Sequence, residues 1–164
     1  LEIDKIINTH GHFDHIGANK FLKKKTDAKI LAHPKAEKKL NNPALNLSQI
    51  FNDQAVISPP LDKKLADGEK INFEDLSLKV IYTPGHSEDG ISIYIQEEKI
   101  LFSGDCIFAN GIGRTDLEDS DLELLKKSVE ARILKLPDDC KFYAGHGFQS
   151  NISDFRTRVW PTFA

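Results

Sequence analysis

Methionine is absent from the 164 residues, and the chain opens on Leu1 inside what reads as an apolar strand, so a segment upstream of it is expected. No apolar stretch approaches membrane-spanning length, and no basic segment leads into an apolar one, so neither a transmembrane helix nor an export signal is expected. Cysteine is scarce: Cys106 and Cys140 stand far apart with no Cys-x-x-Cys pair. That excludes a disulfide framework and a thiolate zinc site, and it makes a reducing cytoplasm the expected compartment. Basic runs interleaved with aromatics are missing as well. The net charge is only −3 and Lys23-Lys24-Lys25 reads as a solvated helix face, so neither nucleic acid nor a membrane is expected as a partner. At 40% hydrophobic, the chain can bury one sizeable core but not two, and residues 1–164 are expected to form a single domain.

Against this plain background, Thr9-His10-Gly11-His12-Phe13-Asp14-His15-Ile16-Gly17 stands out, because half of the six histidines fall within it together with a carboxylate. The apolar run Ile3–Asn8 reads as a short strand ending at a turn, and the polar stretch after Gly17 reads as a helix, which puts the four polar side chains on a strand-to-helix loop. His10 and His12, two apart, can converge on one metal ion, while Asp14 and His15 can reach a second; imidazole and carboxylate both suit zinc. The bland alternative is a histidine-rich surface turn. The density of ligand types in an otherwise histidine-poor chain argues against it.

Along the chain, 18–25 reads as a helix with Phe21 and Leu22 inward, 29–32 as a strand, and 35–40 as a second helix with solvent-facing lysines, a β–α–β alternation. Residues 41–60 carry no sustained period and read as a long connection or lid with one helical turn at 47–51. From Asp67-Gly68 the pattern turns to half-buried strands at 76–82 and 91–95, with Ile100-Leu101-Phe102 continuing the meander. Ser120-Asp121-Leu122-Glu123 has capping-box spacing and opens a helix whose apolar face is Leu122, Leu125, Val129, Ile133 and Leu136. Lys141–Ala144 is expected to be the last strand. Helices packed against mixed sheet follow from this order.

Three of these strands end in a small-residue turn that carries one ligand-type side chain: Thr83-Pro84-Gly85-His86, Ser103-Gly104-Asp105 and Ala144-Gly145-His146-Gly147. Alone, each reads as readily as a capped turn; together with the first loop they complete two ligand sets. His10, His12 and His86 are expected to hold one ion and Asp14, His15 and His146 the other, with Asp105 bridging through its two oxygens. Three protein ligands and a bridge leave an open position at each ion, as catalytic zinc sites do. His33 is read as an ordinary turn or supporting residue, and Cys106 as packing rather than a nucleophile, since no histidine is left to activate it.

The order Thr-His-Gly-His-Phe-Asp-His, Thr-Pro-Gly-His, Ser-Gly-Asp, Ala-Gly-His-Gly resembles the metallo-β-lactamase superfamily. Gly111-Ile112-Gly113-Arg114-Thr115-Asp116 narrows the resemblance to its glyoxalase II (hydroxyacylglutathione hydrolase)-like branch. The resemblance implies an α/β fold, the metallo-β-lactamase-like αβ/βα four-layer sandwich, here lacking its N-terminal strands. It also implies a zinc-dependent thioester hydrolase with two zinc ions, iron or manganese being the alternatives. Asp14 and Asp105 are the candidate catalytic residues. With both ions bound, coordination lowers the pKa of water to about 7, so a hydroxide held between them is the expected nucleophile. A leaving thiolate demands no separate general acid.

Three departures bear on substrate and assembly: the strands usual before the first loop, the helical extension that builds the glutathione pocket, and the Pro-Glu-Thr that here reads Phe148-Gln149-Ser150. A smaller acyl thioester therefore stands beside a hydroxyacylglutathione as the expected small-molecule substrate. An unpaired edge beginning at Leu1 is expected to favour a homodimer or aggregation. Two rival readings are a mononuclear-iron glutathione persulfide dioxygenase and a metal-binding or oligomerisation fragment without turnover. Arg114 and Asp116 are expected to pair or to brace a ligand rather than to touch substrate.

Overall fold

A computed structural model describes residues 2–164; the edge expected to begin at Leu1 starts outside them. The backbone gathers into two compact units, the first ending at Leu65 and the second running Ala66–Ala164.

The first unit is the expected β–α–β alternation. Strand β1 (Lys5–Ile7) leads through a short helix α1 (Phe13–Ile16) and helix α2 (Asn19–Thr26) into β2 (Lys29–Ala32), which lies parallel to it. A 3-10 turn at Pro34–Ala36 continues into α3 (Glu37–Leu40). The lid region holds α4 (Ser48–Phe51), and β3 (Lys63–Lys64) completes a three-stranded parallel sheet in the order β1-β2-β3. Among the described residues β1 has β2 as its one strand neighbour, so it is a sheet edge.

Two side chains point opposite to expectation. Phe21 is 64% exposed. The inward position of α2 is taken by the buried Asn19, and a residue two further on lies about 200° round the helix. Lys39 is buried, whereas Lys38 is exposed. Ala36, Lys39 and Leu40 share one helical face at i, i+3 and i+4, and the long apolar stem of lysine lets it occupy that face.

The second unit is built on a six-stranded mixed sheet in the order β11-β10-β7-β6-β5-β4. Its strands are β4 (Lys70–Phe73), β5 (Leu76–Tyr82), β6 (Ile91–Ile95), β7 (Ile100–Gly104), β10 (Lys141–Ala144) and β11 (Ser150–Asn151). β10 runs parallel to β7 and the other pairs are antiparallel. All five residues of β6 are buried, so its alternation marks a central strand covered on both faces rather than a half-exposed one. Between β7 and the long helix α5 (Leu122–Ala131) lies a small hairpin, β8 (Ile107–Phe108) and β9 (Gly111–Ile112).

The cap of α5 is Asp121, whose Oδ1 accepts the Leu124 N–H at 2.9 Å. Ser120, the expected cap, bonds to Leu117 instead. The buried stripe of this helix is Leu125 and Val129, continued by Ile133 in the following 3-10 turn, while Leu122 stays 41% exposed. The stripe packs with Ile81, Tyr94, Leu101 and Phe142 of the sheet in the unit's core. The chain after His146 adds structure that its local pattern does not announce: β11, a helical turn α6 (Ile152–Asp154) and a π turn at Phe155–Val159 bring Phe155 against Phe142, ring centroids 6.1 Å apart.

Candidate metal centre

In the first unit, a buried amide pair closes the loop after β1. The Asn8 side chain donates to His15 O at 3.0 Å, and Asn19 Nδ2 donates to Asn8 Oδ1 at 2.8 Å and to Ser58 Oγ at 2.9 Å. The loop is thus tied at both ends to groups shielded from water, where satisfied hydrogen bonds fix geometry firmly. His12 O accepts the N–H groups of His15 and Ile16, starting α1 and turning His15 back over the loop. The ring of His10 consequently lies 4.6 Å from that of His12 and 4.0 Å from that of His15. His10 and His12 are buried, and Thr9 Oγ1 lies 3.2 Å from His10 Nδ1. Asp14 is more open, with its Oδ2 at 3.6 Å from His15 Nε2. The four ligand-type side chains of the first loop are therefore neighbours.

In the second unit, His86, Asp105 and His146 follow the ends of β5, β7 and β10. His86 Nε2 lies 3.6 Å from Asp105 Oδ2, and His146 Nε2 lies 3.5 Å from the same oxygen. His86 Nδ1 donates to the Arg114 carbonyl at 2.9 Å. Because a carbonyl only accepts, this bond puts the proton of a neutral imidazole on Nδ1 and a lone pair on Nε2. Two electron-donating atoms at this spacing suit a common cation: ligands about 2.0–2.1 Å from a tetrahedral zinc ion stand about 3.4 Å apart. The donor set and its spacing therefore fit a metal ion. Both imidazoles approach the same oxygen of Asp105, Oδ2.

Glycine makes the approach of these loops feasible. A Cβ on Gly113 would lie 2.0 Å from Asp105 O and 2.8 Å from His86 Cβ; one on Gly85, at φ +137°, would lie 2.3 Å from the backbone of Leu125. Next to Gly113, Arg114 and Asp116 form a two-pronged pair, both contacts at 2.7 Å. The guanidinium holds the Asp116 carboxyl down to about 2. The support given to His86 comes from the backbone of Arg114, not from its side chain.

Cys106 is buried and desolvation pushes its thiol up to about 12, so the group stays protonated, as a packing role requires. The side chain of His33 accepts from Lys35 N at the turn before α3, an ordinary turn role. Nothing in the sequence marks Asn8, Asn19 and Ser58 as supports of the first loop, nor the pair formed by Thr83 and Ser92 beneath the His86 turn, hydroxyls 3.0 Å apart. Each partnership spans a loop or more of chain, and polar residues near strand ends are the one signal they leave.

The chain matches the metallo-beta-lactamase superfamily over residues 1–146. Hydroxyacylglutathione hydrolase GloC of Haemophilus influenzae is 32% identical to it over 158 residues, spanning 93% of this chain and 72% of that protein. Among solved structures, BLEG-1 B3 metallo-beta-lactamase superposes with a TM-score of 0.93 at 34% identity, over 98% of this chain and 77% of that one. TTHA1623 in a di-iron-bound form gives a TM-score of 0.84 at 29% identity, over 94% and 75% of the two chains. The fold is the α/β fold of these proteins, as the resemblance implied. The chain belongs to the metallo-β-lactamase superfamily of metal-binding hydrolases, with hydroxyacylglutathione hydrolases among its relatives.

Proposed function

We propose that the chain is a metal-dependent hydrolase of small acyl thioesters, a hydroxyacylglutathione or a shorter relative of one, and that residues 1–164 act as one metallo-hydrolase domain. In this reading His10, His12 and His86 would hold one ion and Asp14, His15 and His146 a second, with Asp105, whose Oδ2 faces two of these imidazoles, contributing to both. The observation that carries it is the approach of two imidazole nitrogens to that one oxygen, at 3.6 and 3.5 Å. The name of the GloC relative supports the thioester class. Zinc is the proposed metal, and the di-iron form of TTHA1623 makes iron the alternative.

Bound there, the metal would supply Lewis acidity towards the substrate carbonyl and towards water. The chain's own part is positioning. The Arg114 carbonyl holds the proton of a neutral His86 on Nδ1, which leaves the Nε2 lone pair for coordination, and Asp105, held between two imidazoles, sets the direction from which water reaches the carbonyl. Asp14, on the open side of the first loop, is the second carboxylate able to accept a hydrogen bond from that water. A thiol leaving group has a pKa of about 8.5, so no residue is needed to protonate it. Cys106 and Cys140 stay unbridged and buried, which supports the cytoplasm as the location.

The test is hydrolysis of S-lactoylglutathione and S-acetylglutathione by protein loaded separately with zinc and with iron. Metal-dependent release of glutathione, lost on chelation, is the expected result. Cleavage of a β-lactam without thioester turnover would overturn the proposal, as would oxygen-dependent consumption of glutathione persulfide by the iron form alone.

A further inference from the structure

We propose that Asp119 is a positioning residue for His86, the side-chain latch of a clamp formed by residues 113–125 that sets the angle at which this imidazole meets a metal ion. The inference depends on the reading of His86 as a metal ligand.

The turn that carries His86 is fastened to this downstream segment on every side. Its ring is held by the Arg114 carbonyl at 2.9 Å. The residue before it, Gly85, accepts the Asp121 N–H at 2.7 Å and lies so close to the Leu125 backbone that no side chain would fit. The two residues after it turn to Asp119, whose Oδ2 accepts the Glu88 N–H at 3.3 Å and lies 3.2 Å from Ser87 Oγ. Ser87 is itself buried, and its one hydroxyl proton is shared between Asp119 and the fully buried Asp89 within the turn. Arg114, Asp121 and Leu125 all act through their backbone atoms; Asp119 acts through its side chain, bridging 31 and 32 residues of sequence.

An imidazole coordinates along the direction of its nitrogen lone pair, so rotation of the turn changes the metal bond even when the histidine remains. Outer partners of this kind commonly govern metal affinity by about 10–100-fold. Asparagine at 119 keeps an oxygen able to accept the Glu88 N–H and to face the Ser87 hydroxyl; alanine keeps none.

The experiment takes the chelated protein and measures Zn2+ affinity by competition with a chromogenic chelator, together with the visible spectrum of the Co2+-saturated form. Asp119→Ala is expected to weaken Zn2+ binding about 10–100-fold and to shift the Co2+ bands at saturation, with Asp119→Asn restoring both. If the alanine variant at 119 does not fold, Ser87→Ala applies the test, read beside Asp89→Ala, which removes the hydroxyl's other partner and leaves Asp119 in place. Unchanged affinity and spectrum in Asp119→Ala, while His86→Ala weakens binding, would overturn the clamp alone. Unchanged affinity in His86→Ala would remove the ligand reading, and the clamp with it.

Discussion

At the scale of single residues, Asp105 and Arg114 lie close in space to His86 and are predicted to differ sharply in consequence. Asp105 Oδ2 faces two imidazoles, so Asp105→Ala should cost at least about 10–100-fold in metal affinity. Arg114 supports His86 through a carbonyl that any residue supplies, so Arg114→Ala should keep metal content near the unsubstituted level; elemental analysis of both variants checks this. The Arg114–Asp116 pair has its own pH signature. Asp116 is held at about 2 against an ordinary 3.8, so its contribution is present above the ordinary value and is lost as the pH falls through about 2. Arg114→Ala should return the Asp116 titration, followed by carboxyl NMR, to the ordinary range. The thiol of Cys106, pushed up to about 12, should resist alkylation in the folded protein and react once it is unfolded. The candidate ligands are legible in the sequence because residue type and short spacing are local properties. The amides Asn8 and Asn19, the hydroxyl of Ser58 and the carboxylate of Asp119 are not, because each acts on a partner far along the chain.

At the scale of elements, the periodicities at 29–32, 76–82 and 91–95 locate strands, but not how deeply each is buried. Burial of β6 on both faces depends on its neighbours in the sheet, which its own five residues do not encode. The same holds for Phe21 and Lys39, where a buried amide and a short helical face decide what turns inward. Small elements such as β8, β9 and β11, two residues each, carry too little pattern to be read from sequence. Gly85 packs the His86 turn directly on α5. Gly85→Ala is therefore predicted to destabilise the protein by about 3 kcal/mol, from overpacking and a positive φ together, measured as a lowered urea midpoint.

At the scale of the whole molecule, the proposed ligands are four residues of the first loop together with His86, Asp105 and His146. The order of their motifs along the chain makes the family legible in the sequence alone; the pairing of strands within each unit is not, since it depends on contacts that local patterns leave open. A metal bound only by the folded protein stabilises it by about 4 kcal/mol when present at a thousand times its dissociation constant. Chelation should then lower the melting temperature by on the order of 10 °C, and zinc should restore it. The central claim, that these seven side chains form a two-ion site, is tested most directly by native mass spectrometry of the zinc-loaded protein beside its Asp105→Ala variant. Two zinc ions per chain, with loss of one or both in the variant, is the predicted result; two ions retained without Asp105, or no bound ion in either protein, would contradict it.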